Sequence, residues 1–126
     1  MNTYDENRKI YFENLAVQVR ELVVSEKLYT QHHLSLDDVA DRLEVSRYYV
    51  SHAVNNYLGK SFITLVDELR IQEAIRLMGQ AGTDKCRITD IASRAGFADR
   101  QSFARICRRL TGLTPSELRL KLSTNK

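Results

Sequence analysis

The 126-residue chain has little of what breaks a helix: a single proline and five glycines. It also has no low-complexity tract, so we expect no flexible linker. Its length predicts one domain, or two closely packed lobes, with a modest core. No stretch of about 18 apolar residues and no leader-like segment occur, so the sequence predicts a chain that is neither membrane-spanning nor secreted. Its 43% hydrophobic and 28% charged residues are usual for a soluble globular protein.

Side chains suited to metal binding or nucleophilic catalysis are also scarce. The two cysteines, Cys86 and Cys107, lack a metal-ligand spacing and indicate a reduced, cytosolic protein. We expect Cys107 in the core and Cys86 as an incidental thiol, with a redox role as its alternative. His32, His33 and His52 have no cysteine or carboxylate at zinc spacing, and no phosphate-binding glycine loop or nucleophile elbow is present. We expect no metal, no cofactor and no enzyme activity.

Positive charge is concentrated in the last third of the chain. The net charge of the whole chain is +3, but residues 1–34 carry −1 and residues 35–82 carry −2. Residues 83–126 carry ten basic and four acidic side chains, a net charge of +6. This distribution favours a polyanionic partner for the C-terminal part, and a plain solvated basic surface is the alternative.

Apolar residues recur at helical spacing along the chain, which predicts an all-α fold of seven helices. Ser35 and Ser46 are predicted N-caps, Gly112 a predicted helix end, and Thr114 with Glu117 a predicted capping box. The predicted helices cover residues 10–28, 36–43, 47–57, 62–79, 88–95, 99–110 and 115 onward.

The chain also repeats itself. Ile91 and Ala92 stand 52 residues after Val39 and Ala40, and each pair belongs to a short helix followed by a turn and a longer helix. Two such units in matching register predict two helix-turn-helix lobes. We place the first lobe at about 10–62, the connecting helix at about 62–79 and the second lobe at about 83–122, with the boundary at residues 81–85.

The two longer helices each leave a polar face free once their apolar stripe is buried. At about 100° per residue, Phe103, Ile106, Cys107 and Leu110 share one stripe, which predicts a buried face. The face left free in this helix carries Arg100, Gln101, Ala104, Arg105, Arg108 and Arg109. In the earlier helix the predicted buried positions are Val50, Ala53, Val54 and Tyr57. The face left free there carries Arg47, Tyr48, Ser51, His52, Asn55 and Asn56.

These free faces have the chemistry needed to read base edges. Arginine can bind guanine O6 and N7, and glutamine or asparagine can bind adenine N7 and N6. We expect Arg105 and Gln101 to contact bases, whereas Arg108 and Arg109 contact phosphates or are simply solvated. Backbone amides at the helix starts near Ser61 and Thr114 are candidates to hold phosphates.

The segment GFADRQSFARICRRLTGLTPSELR, residues 96–119, resembles the signature of the AraC/XylS family of transcription regulators. Residues 34–78, LSLDDVADRLEVSRYYVSHAVNNYLGKSFITLVDELRIQEAIRLM, resemble the first half of the same domain. The resemblance covers residues 10–122. It implies a single domain of seven helices, a homeodomain-like fold in which two recognition helices enter successive major grooves of double-stranded DNA.

The free faces and the resemblance together predict two sets of DNA contacts. The predicted base-reading residues are Tyr48, Ser51, His52, Asn55, Arg100, Gln101, Ala104 and Arg105. The predicted phosphate-contacting residues are Arg47, Asn56, Lys60, Ser61, Arg108, Arg109 and Thr114.

The sequence departs from the family pattern at several positions. Asn55 and Asn56 replace a basic pair, and His52 replaces an arginine, so the first lobe offers little charge to DNA. Cys107 replaces an aromatic residue and Leu118 a tyrosine, which are core changes. We expect the second lobe to supply most of the phosphate attraction and the first to add selectivity.

Two segments, EKLYTQHHLSLDDVA at residues 26–40 and VSHAVNN at residues 50–56, resemble a subgroup in which the domain ends a larger regulator, often a membrane-anchored or repeat-containing sensor. We therefore expect a bacterial, cytoplasmic regulator that also contacts RNA polymerase and has a fused N-terminal sensor region. A stand-alone regulator is the alternative for the larger architecture. A protein-interaction helical bundle without a DNA role is the alternative for the function.

Overall fold

A computed structural model of the chain describes residues 3–80 and 86–124, and these form seven α-helices and one short 3-10 helix. No helix in these two stretches is long and apolar enough to cross a bilayer. The helices are α1 (Thr3–Ser25), α2 (Leu36–Leu43), α3 (Arg47–Tyr57), α4 (Phe62–Met78), α5 (Ile88–Ala95), α6 (Arg100–Thr111) and α7 (Pro115–Thr124), and the 3-10 helix is Leu28–Thr30. The predicted all-α fold is confirmed.

The chain divides into two compact units. The first contains the chain up to Leu28 together with Leu34–Leu65, and the second contains Tyr29–His33 together with the chain from Val66 onward. Helix α4 contributes its first turn to one unit and the rest of its length to the other. The boundary predicted at residues 81–85 lies outside the described residues, so the limits of the two lobes stay a prediction.

In the first unit, α1 packs against α2 and α3. Phe12, Leu15, Val19 and Val23 recur on one face of α1, and all four are buried. This helix begins at Thr3 and ends at Ser25, whereas the sequence predicted residues 10–28. It ends early because Lys27 adopts a left-handed conformation with φ of 51°, which no continuing helix allows.

In the second unit, an apolar core forms between α4, α5, α6 and α7. Phe97 and Phe103 stack at its centre, with ring centroids 4.8 Å apart. Ile106 and Cys107 are buried as predicted, but Leu110 is 37% exposed, so its predicted burial is wrong. Leu110 lies at the end of the stripe, in the last turn of α6.

Local capping chemistry sets the helix ends as predicted. The Ser35 hydroxyl accepts from the Asp38 amide at 3.2 Å, and the Asp38 carboxylate accepts from the Ser35 amide at 2.9 Å. Thr114 and Glu117 form the second predicted capping box, with distances of 2.9 and 3.2 Å. The predicted cap Ser46 is also confirmed, since its hydroxyl accepts from the Tyr49 amide at 3.2 Å.

The predicted repeat is visible in the backbone. Helices α2 and α5 are both eight residues long, and each ends in a left-handed residue, Glu44 and Gly96 respectively. In both units a backbone amide then donates back to the small residue at the middle of the short helix. These bonds are Val45 N to Ala40 O at 3.1 Å and Phe97 N to Ala92 O at 2.9 Å. Each unit therefore contains a short helix, a tight turn and a longer helix.

Candidate nucleic-acid interface

Helix α6 separates a buried face from a polar face. Phe103 and Cys107 are fully buried, whereas Arg100, Gln101 and Arg105 are exposed. Ala104 is half-buried between the two faces, and Arg108 is exposed further along. Asp99 caps the start of the helix by accepting from the Ser102 amide at 2.7 Å, and Gly112 ends it with φ of 80°. The predicted base-reading residues of the second unit therefore lie on one outward side.

Helix α3 also presents polar side chains, but they bind one another. Arg47, Tyr48, Asn55 and Asn56 are exposed, and Ser51 and His52 are half-buried. The Asn55 amide donates to the Ser51 hydroxyl at 3.2 Å. The Asn56 amide donates to the His52 carbonyl at 2.8 Å. These bonds between positions i and i+4 favour one orientation of each side chain along the helix.

An aromatic cluster joins α3 to α1. The Phe12 ring of α1 lies 4.4 Å from the His52 ring and 5.6 Å from the Tyr49 ring. Tyr48 stacks on His52 at 6.1 Å, and Tyr11 meets Phe12 edge-on at 5.1 Å. His52 was predicted to point away from the core, but it is half-buried because Phe12 covers one side of its ring. The apolar stripe of α1 predicts that Phe12 is buried, but not that it contacts His52, which is forty positions further along the chain.

Arg109 has a structural partner that the residue pattern does not predict. Its guanidinium donates to the Asp67 carboxylate at 2.9 Å. The Asp67 side chain is only 7% exposed, whereas that of Arg109 is 52% exposed. A buried carboxylate is costly without a cation, so Arg109 has a packing role in the second unit whatever its contact with phosphate. Nothing in the local pattern indicated this pair, because its members are 42 residues apart.

The helix starts predicted to bind phosphate differ in their bonding. Ser61 is exposed, and its hydroxyl accepts from the Thr64 amide at 3.1 Å at the start of α4, next to the half-buried Lys60. At the start of α7, the Thr114 amide instead donates to the Glu117 carboxylate at 2.9 Å. This amide is therefore engaged within the protein, and a phosphate would have to displace a carboxylate to reach it.

Two carboxylates at helix starts have lowered pKa values. The backbone hydrogen bond from Ser102, followed by a side-chain bond to the same residue, holds the pKa of Asp99 below its ordinary value. The nearby Arg105 charge adds a smaller effect in the same direction. Glu117 has a lowered pKa for the same reason, through Thr114, with a smaller contribution from Arg108. Both groups stabilise helix starts as anions.

Within residues 3–80 and 86–124, no group of three or more histidine, cysteine or acidic side chains could hold a metal ion. Cys107 is buried as predicted, and burial raises the pKa of its thiol. Cys86 is half-buried, and its carbonyl oxygen accepts from Arg119.

Two helix-turn-helix units, each with a polar face on its longer helix, define a DNA-binding protein of the helix-turn-helix class. A family model described as a helix-turn-helix domain matches residues 39–121. The chain belongs to the AraC-type helix-turn-helix family of DNA-binding transcription regulators. This is a family of DNA-binding domains and not a class of enzymes.

Curated relatives include the arabinose operon regulatory protein of Salmonella typhimurium, which is 30% identical over 87 residues. An uncharacterized HTH-type transcriptional regulator of Staphylococcus aureus is 30% identical over 117 residues. These alignments cover 69% and 93% of this chain. They cover only 30% and 15% of the two relatives. The chain thus spans less than a third of the length of either protein.

Solved structures of similar fold come from other bacteria. The C-terminal domain of the response regulator AraT from Geobacillus stearothermophilus is 28% identical, with a TM-score of 0.75 over 85% of this chain and 84% of that one. A transcriptional regulator with an AraC-type DNA-binding domain from Chromobacterium violaceum is 27% identical, with a TM-score of 0.67 over 92% and 96% of the two chains.

Proposed function

We propose that the chain binds a specific double-stranded DNA site by placing α3 and α6 in successive major grooves. The exposed row on α6 carries this proposal, because Gln101 and Arg105 lie opposite the buried Phe103 and Cys107, and the exposed Arg100 flanks them. A helix that is buried on one side and offers arginine and glutamine on the other has the shape and the donors that major-groove readout requires.

The two sets of contacts follow from this placement. The base-reading residues are Tyr48, Ser51, His52, Asn55, Arg100, Gln101, Ala104 and Arg105. The phosphate-contacting residues are Arg47, Asn56, Lys60, Ser61, Arg108, Arg109 and Thr114. Arg109 and Thr114 are the weakest members of the second set, because Asp67 and Glu117 already bind them.

The wider assignment is a cytoplasmic regulator of transcription that contacts RNA polymerase beside a promoter. The relatives support a fused sensor region, since the chain matches 15% of the Staphylococcus aureus regulator and resembles the C-terminal domain of a response regulator. We place this sensor region before α1.

In-vitro selection from random duplex DNA at about 150 mM salt tests the proposal. We expect an enriched site with two short elements about 10 bp apart, since that is one turn of the duplex. Enrichment of a single element would mean that one recognition helix reads sequence alone. If binding appears only at low salt and without sequence preference, the proposed sequence-specific readout is wrong.

A protein-interaction bundle would respond differently to salt. Binding through several phosphates weakens steeply, with a log-log slope near −0.9 per contact, whereas an apolar protein interface responds little. The exposed arginines of α6 favour the first behaviour.

A further inference from the structure

A row of four side chains runs from the exposed end of α3 to the surface of α1. Tyr48 is 62% exposed and stacks on His52 with 6.1 Å between ring centroids and 23° between ring planes. His52 lies 4.4 Å from Phe12, and the guanidinium carbon of Arg8 lies 5.0 Å from the centre of the Phe12 ring on α1. The row therefore begins at a predicted base-reading residue and ends at an exposed cation.

We propose that Arg8 is a further DNA contact of the first unit, binding a backbone phosphate at the edge of the groove that α3 enters. This inference rests on the proposed placement of α3. The major groove of B-DNA is about 12 Å wide. The three distances of 6.1, 4.4 and 5.0 Å limit the separation between the Tyr48 ring and the Arg8 guanidinium to about one groove width, so Arg8 lies within the range of the phosphates that border the groove.

Phe12 orients the cation. Its ring is 4% exposed and is fixed by neighbours on α1 and α3, so it offers a rigid face to the Arg8 guanidinium. A guanidinium held over an aromatic ring keeps its planar edge of N–H donors available. Since the stem is already ordered, binding a phosphate costs less side-chain entropy than it would for a freely rotating arginine.

Arg8 also adds positive charge to the first unit, which has more acidic than basic side chains. The first unit, residues 1–28 and 34–65, carries seven basic and nine acidic side chains, and Asn55 and Asn56 stand on the outward face of α3. A cation from α1 beside this face compensates for part of the repulsion from DNA. The adjacent Lys9 differs, because its ammonium pairs with Glu13 at 3.8 Å along α1.

The test measures how the affinity of the full chain for DNA depends on salt, by fluorescence anisotropy with the selected duplex and with a random duplex. We expect Arg8→Ala to weaken binding about 3- to 10-fold and to make the log-log slope about 0.9 less negative on both duplexes. The matched control is Lys9→Ala, which removes one positive charge from the neighbouring position and should change affinity less than about 2-fold. Arg8→Lys keeps the charge and should retain the slope of the unmodified chain.

Equal slopes for Arg8→Ala and Lys9→Ala would overturn the inference, as would an unchanged slope for Arg8→Ala in a variant whose helical circular dichroism is intact. The random duplex keeps this result separate from the proposed function. If the unmodified chain does not prefer the selected duplex, sequence-specific readout fails. The slope on random duplex still decides whether Arg8 touches a phosphate, because counterion release does not depend on sequence.

Discussion

Gly96 shows how a single residue sets the turn between α5 and α6. Its φ is 110°, and an added Cβ would overlap the Tyr29 carbonyl oxygen and come within 2.9 Å of the Arg70 guanidinium. That carbonyl is already bound, because Arg70 Nε donates to it at 2.6 Å. The turn therefore packs its backbone directly against the segment 29–33 of the second unit.

Replacing Gly96 should cost more stability than replacing another left-handed glycine. We expect Gly96→Ala to lower the free energy of unfolding by about 2–4 kcal/mol, from backbone strain and overlap together. Gly112→Ala is the control, because Gly112 has φ of 80° but open space around it, and should cost about 1 kcal/mol. Urea unfolding followed by circular dichroism measures both, and equal losses would contradict the role of the Tyr29 carbonyl.

Arg109 and Arg108 are neighbours with different environments. Arg109→Ala leaves the Asp67 carboxylate buried without its ion pair, so we expect a loss of about 1–3 kcal/mol, limited by the half-exposed position of the arginine. Arg108→Ala should change stability by less than about 0.5 kcal/mol and act on DNA binding alone. Thermal unfolding separates the two, and a stable Arg109→Ala variant would show that Asp67 does not depend on its ion pair with Arg109.

At the scale of elements, side-chain caps stabilise the N-terminal ends of α6 and α7, the two helices that follow the turn at Gly96. Asp99 caps α6, and Thr114 with Glu117 caps α7. The pKa values of both carboxyl groups are lowered, chiefly by the backbone hydrogen bonds they accept. Protonation of either group weakens its bond to a helix start and removes a favourable charge near the helix dipole.

The direction of this pH dependence follows from the lowered pKa of Asp99. Above its ordinary value of 3.8 the carboxylate contributes its full stabilisation. As the pH falls below that value, the unfolded chain takes up the proton before the folded chain does, so the stabilisation is lost as the pH passes through the folded pKa.

Asp99→Asn keeps a cap acceptor but removes the titration. We expect the difference in unfolding free energy between the unmodified chain and this variant to shrink as the pH is lowered from 6 to about 3. Chemical unfolding at a series of pH values measures it. A difference that stays constant over this range would mean that Asp99 titrates alike in the folded and unfolded chains.

At the scale of the whole molecule, the two units carry unequal charge. The first unit, residues 1–28 and 34–65, has a net charge of −2, whereas the second, residues 29–33 and 66–126, has +5. If the second unit supplies most of the phosphate attraction, Arg105→Ala should weaken binding to random duplex DNA about 3- to 10-fold, and His52→Ala by less than about 2-fold. On the selected site both should lose discrimination. Equal weakening on random DNA would make this division of roles wrong.

Most of the helices could be predicted because their signals are local. Ser35, Ser46 and Gly112 act within four residues of themselves, and the structure has the caps and the helix end where these residues predict them. The predicted burial of Phe103 and Cys107 is also confirmed, since a helical stripe depends only on spacing. The burial of Leu110 was predicted wrongly because spacing alone does not show whether another element covers the last turn of a helix.

The candidate interface was predictable only in part, because spacing predicts which way a side chain points but not what it meets. The outward row of α6 followed from spacing, and the structure places Arg100, Gln101 and Arg105 there. On α3, the contact between His52 and Phe12 did not follow from the spacing of residues. The DNA contacts of both helices stay predictions.

The sequence by itself determined the helices and the repeated unit of short helix, turn and longer helix, because these follow from interactions between near neighbours. It also determined the basic character of the last third of the chain, which follows from composition. Only the tertiary structure decided that Asp67 is neutralised by Arg109, that Gly96 packs on the Tyr29 carbonyl, and that Phe12 bridges Arg8 and His52. Such pairs lie tens of residues apart in the chain. They come together because helices pack at distances and angles set by all of their side chains at once.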